Sequence, residues 1–142
     1  MSDFLTSPVN ESHEDRAVEI RSSRGGRGLK FHSRSGDYFL ASVEGDGPQA
    51  TVRVWGYTDC DLLVDLFESI ARDWRGWQGE RTWKSIEGEF RIAVSSKSTG
   101  QVTFAVQLRH YDGEDDWRLS VPVFSEAGQL ESIARHVAAF FG

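Results

Sequence analysis

The sequence predicts an α+β protein in two layers: a largely antiparallel sheet of about seven or eight strands, with two helices on one of its faces. Three observations predict it. Several segments alternate apolar and polar residues with period two. Two segments repeat apolar residues every three or four positions. Their order is strands, helix, strands, helix, and hairpin-connected strands with helices gathered on one face make an antiparallel two-layer fold.

In chain order, residues 1–15 are polar and acidic, carry Pro8, and are expected to form a flexible tail outside a single domain, 16–142. Val18 and Ile20, then Leu29 and Phe31, point one way on two strands joined by SSRGGRG, a hairpin loop. DYFLASVE is more continuously apolar and belongs mid-sheet. The Gly45 to Pro48 turn then leads into TVRVW, with Val52 and Val54 inward.

The first helical stripe is Leu63, Leu66, Phe67, Ile70, Trp74 and Trp77, with Thr58 as the expected cap and Gly76 and Gly79 as the exit. Next come a strand through Trp83 and three alternating segments. Their inward sets are Phe90, Ile92 and Val94; Val102, Phe104, Val106 and Leu108; and Trp117, Leu119, Val121 and Val123. SSKSTG and YDGEDD are the turns between them. Pro122 cannot donate to a ladder, so its strand belongs at an edge or carries a bulge, and a long exposed edge there would permit pairing with another chain. Ser125 is the expected cap of the last helix, with Leu130, Ile133, Ala134, Val137, Phe140 and Phe141 as its stripe. ESIAR occurs at Glu68–Arg72 and again at Glu131–Arg135. A duplicated meander-plus-helix unit accounts for this, as do two amphipathic helices drawing on the same common residues, and both readings stay open.

The formal charge of −6 disfavours non-specific binding to nucleic acid or to an anionic membrane. The N-terminus has neither the basic flank nor the apolar run of a signal peptide or membrane span, so a soluble cytoplasmic protein is expected. The lone cysteine, Cys60, cannot form an internal disulfide. As a nucleophile it has no base partner in the sequence, and Asp59 and Asp61 oppose any lowering of its pKa by the helix dipole. The four histidines are scattered without metal-ligand spacing, and DGEDD lacks the spacing of a calcium loop. The expectation is a protein with no metal, no cofactor and no catalytic residues.

Subtracting the inward set leaves Arg21, Lys30, His32, Arg53, Arg91, Thr103, Gln107, Arg109 and Arg118 on the opposite face: a cationic sheet face on an acidic protein. Such a face can be simply solvated, or it can dock an acidic partner through planar guanidinium groups. The leading expectation is a non-catalytic interaction protein, of the immunity or accessory kind, that binds a partner protein through Arg53, Arg91, Arg109 and Arg118. The alternative is a small-molecule binding module whose pocket, between sheet and helices, is lined by Trp74, Trp77 and Trp83.

WRGWQGERTWKSIEGEFRIAV, GQVTFAVQLR and DWRLSVPVFSEAGQLESIA resemble a bacterial family known as domain of unknown function 6228, over roughly residues 18–141. The most specific parts are Gly76-Trp77-Gln78-Gly79 with Trp83, Glu87-Gly88-Glu89, and Ala127-Gly128-Gln129-Leu130. Gln101 stands where a histidine is expected. The resemblance implies a small bacterial cytoplasmic protein and carries over no catalytic residues.

Overall fold

Residues that alternate in the sequence alternate in burial, and this builds two sheets. The computed structural model describes residues 17–56 and 60–142, so the expected tail and the expected Thr58 cap lie outside the described residues. The first sheet comprises β1 (Val18–Arg21), β2 (Gly28–Ser35), β3 (Tyr38–Glu44) and β4 (Ala50–Trp55), and α1 (Cys60–Arg72) follows. The second comprises β5 (Arg81–Lys84), β6 (Phe90–Ser96), β7 (Gln101–Asp112) and β8 (Asp115–Glu126). A single 3-10 turn, Ala127–Gln129, then leads into α2 (Leu130–Phe141). Both sheets are antiparallel meanders in sequential order, so the eight expected strands divide four and four. β3 lies between β2 and β4, as its apolar run implies, and β8 is an edge, as Pro122 implies.

One core unites the two halves. Phe31 of β2 meets Phe39 at 5.6 Å, Phe90 of the second sheet at 5.6 Å, Phe67 of α1 at 6.4 Å and Phe141 of α2 at 6.1 Å. Edge-on aromatic pairs of this kind add specificity to the area they bury. Phe67 also stacks on Phe104 at 5.9 Å, which ties α1 to β7.

The halves join along two seams. At one, the β1–β2 loop lies along β8: Ser23 N–H donates to the Phe124 carbonyl at 2.9 Å, Phe124 N–H to Ser22 Oγ at 3.1 Å, and Arg27 Nη1 to the Pro122 carbonyl at 3.1 Å. The β8 edge around Pro122, expected to be open for pairing, is therefore covered by the chain's own loop. At the other seam, the backbone N–H of Trp55 donates to Glu89 Oε2 at 3.3 Å. Two glycines permit close approaches that a side chain would block. A Cβ at Gly45 would stand 1.8 Å from the Gly26 carbonyl oxygen, and one at Gly56 would stand 2.2 Å from Cys60 Sγ.

Three expectations need correction. α1 ends at Arg72, so its buried stripe stops at Ile70 and excludes Trp74 and Trp77. Arg81 precedes Trp83 by two positions on the helix-facing side of β5. Its Nη1 bonds the Ser69 carbonyl at 3.1 Å, its Nη2 bonds Asp73 at 2.8 Å, and together these close the helix. Ser125 caps no helix: it is buried within β8, because the β7 ladder continues through Gln101 and Glu126. ESIAR, finally, ends α1 but begins α2, with Ile70 fully buried and Ile133 half-buried, so it does not mark equivalent positions. The repeat lies in the order of elements instead, four strands and a helix, twice.

Candidate functional site

The helices and the Phe cluster occupy the inner side of both sheets, so candidate sites lie on the outer side. There the structure places all four expected arginines: Arg53 on β4, Arg91 on β6, and Arg109 and Arg118 directly opposite each other on β7 and β8. Lys84, the cross-strand neighbour of Arg91, joins them. Like charges directly opposed across a ladder repel. Asp116 relieves this pair by accepting from Arg109 Nη2 at 3.2 Å and Nε at 3.4 Å. Arg118 keeps its charge unopposed: among the described residues, neither it nor Arg91 has an ion pair. A shallow groove of about 320 Å³ runs beside Arg91 over the small outer residues Ala105, Ser120 and Pro122. On the first sheet the positive character is diluted, since Arg21 pairs with Glu19 at 3.3 Å.

Arg53 and Arg109 meet across the second seam. They line a cleft of about 560 Å³ together with Glu87, Glu89, His110 and Tyr111. The Arg53 guanidinium lies 3.8 Å from the Tyr38 ring, a cation–π contact that fixes its plane. Glu89 is held on both oxygens, by the Ser85 hydroxyl and the Trp55 N–H. Gly88, at φ +80°, makes the tight turn that carries Glu87 and Glu89 to the seam. His110 stacks on Trp117 at 5.6 Å and approaches Asp115 at 3.4 Å. Spacing alone does not show that Glu87 and Glu89 face the first sheet, because Arg53 and Trp55 are more than thirty positions away along the chain.

The three tryptophans do not line one pocket. Trp83 is buried against Phe90 at 5.7 Å. Trp77 continues along the β6 edge beyond β5, its Nε1 donating to the Val94 carbonyl at 3.3 Å and its backbone N–H to Ser96 Oγ at 3.2 Å. Trp74 is 51% exposed, with the Arg75 guanidinium 5.2 Å from its ring. The expected pocket between sheet and helices is filled by the phenylalanines and α1, which leaves each indole a different neighbourhood.

A polar chain that spacing could not reveal crosses the outer face of the first sheet. His32 Nε2 lies 2.8 Å from Ser42 Oγ, which lies 2.7 Å from Thr51 Oγ1, while His32 Nδ1 lies 2.9 Å from Ser33 Oγ. Burial first, and the charge of Lys30 second, lower the His32 pKa, against an opposing pull from Glu44. Ser42 is buried at the middle of this chain, which ties β2, β3 and β4 together on their outer face. Cys60 is likewise buried, beneath Gly56. Among the described residues no group of His, Cys, Asp and Glu is arranged to hold a metal ion, and no helix is long and apolar enough to cross a membrane.

No curated protein and no solved structure matches the chain. One family model does, over residues 12–142, where the tryptophan turn, the Glu87-Gly88-Glu89 hairpin and both meanders lie: the chain belongs to a Family of unknown function (DUF6228).

Proposed function

We propose that the protein is a non-catalytic interaction protein, of the immunity or accessory kind, that docks an acidic partner protein on the outer face of its second sheet. The observation that carries this is the pair Arg91 and Arg118: two exposed guanidinium groups, without ion pairs among the described residues, on a helix-free face of a chain whose formal charge is −6. Burying such groups against carboxylates gives a planar, bidentate match and speeds encounter with an acidic surface. Arg109, already committed to Asp116, contributes chiefly by holding the β7–β8 hairpin. The groove beside Arg91 would receive a partner side chain, with Arg118 engaging the rim.

Co-expression with the products of flanking genes tests this reading. The complex is expected to be lost in the double variant Arg91→Glu/Arg118→Glu, to be retained in Cys60→Ala, and to weaken as salt rises. A complex that survives the double reversal, or that ignores salt, overturns it.

A further inference from the structure

The cleft at the second seam contains charges of both signs that do not touch. Arg53 reaches it from the first sheet, and Glu87 and Glu89 from the hairpin of the second, yet among the described residues no ion pair joins Arg53 to either carboxylate. Opposite charges in one exposed cleft are drawn together only weakly, and contacts to other groups can hold them apart. Here other contacts do: the Tyr38 ring fixes the Arg53 plane, and the Ser85 hydroxyl and Trp55 N–H fix Glu89. The second guanidinium, Arg109, is taken by Asp116, which leaves Arg53 as the seat for an anion. Glu87 is exposed in the same cleft, and Tyr111, 66% exposed, has the Arg109 guanidinium 5.3 Å from its ring. A volume of about 560 Å³ is that of a small-molecule site.

We propose that this cleft binds a small zwitterion of the amino-acid type, its carboxylate on Arg53 and its ammonium on Glu87 and Glu89. A ligand with one charge alone satisfies one wall and leaves the other unpaired, whereas a carboxylate and an ammonium on one frame bridge the gap that the protein keeps open. Preorganisation lowers the ordering cost of binding. Neither Arg91 nor Arg118 lines this cleft, and the proposal does not rest on the docking surface.

The test is thermal denaturation of the full chain with each of the common free amino acids at about 10 mM, beside propionate, ethylamine and their mixture. At least one amino acid is expected to raise the midpoint by about 3 °C or more, while the single-charge fragments and their mixture do not. Arg53→Gln and Glu87→Gln should each weaken binding about tenfold or more, a loss typical of one charge-assisted contact. Both residues lie at the surface, so the variants fold. Arg91→Glu, which lies outside the cleft, should bind as the parent does, which separates this proposal from the docking surface. A flat response to every amino acid, fragments that match the zwitterion, or variants that bind unchanged would each overturn it.

Discussion

At His32 a single residue shows how a face that alternation marks as outward acquires internal order. Its ring spans Ser33 and Ser42, and Ser33 adopts φ +56° where β2 and β3 shift register, so the imidazole stands over the sheet instead of extending into water. Because burial and Lys30 lower its pKa, the folded protein binds a proton there less readily than the unfolded chain. The stability carried by neutral His32 is full above the ordinary imidazole value of 6.5 and is lost as pH falls below it, where the unfolded chain protonates first. Urea denaturation at pH 7.5 and pH 5.5 should therefore show a smaller pH-dependent loss in His32→Gln than in the parent. An identical loss in both would refute the assignment.

Among the elements, α1 depends most on a residue outside itself. Its apolar stripe is evident from spacing, yet its end is set by Arg81, eight positions beyond Asp73, which bonds the Ser69 carbonyl and hydroxyl and pairs with Asp73. Strand period explains the reach: Arg81 and Trp83 share the helix-facing side of β5, one buried in the core and one at the helix terminus. Replacing Arg81 by Met keeps the stem and removes the fork, and should cost about 1–2 kcal/mol. Hydrogen exchange should speed first in the last turn of α1; a change spread evenly over the molecule would contradict the capping role.

Across the whole molecule, the phenylalanine cluster and the two seams make two similar halves into one unit. Glu89 is the polar joint, and Glu89→Ala strands the Ser85 hydroxyl and the Trp55 N–H, which should cost about 1–3 kcal/mol. Since Phe31 touches both sheets and both helices, the parent is expected to unfold in a single transition, with tryptophan fluorescence and far-UV circular dichroism coinciding. Five tryptophans, four of them in the second half, make separate melting of that half visible if it occurs.

The sequence by itself determined the strands, their hairpins, the two helices and the side of the sheet on which each arginine stands, because period two and period 3.6 are local properties of the backbone. Tertiary structure decided the rest. Whether eight strands make one sheet or two, whether Ser125 caps a helix or extends a ladder, and whether Trp74, Trp77 and Trp83 share a pocket all depend on which distant segment competes for the same hydrogen bonds and the same core volume. The cleft is the clearest case: nothing in the segments of Arg53 and of the Glu87-Gly88-Glu89 turn shows that they face one another. They become a site only because the Trp55–Glu89 seam brings two sheets together with their charges held apart.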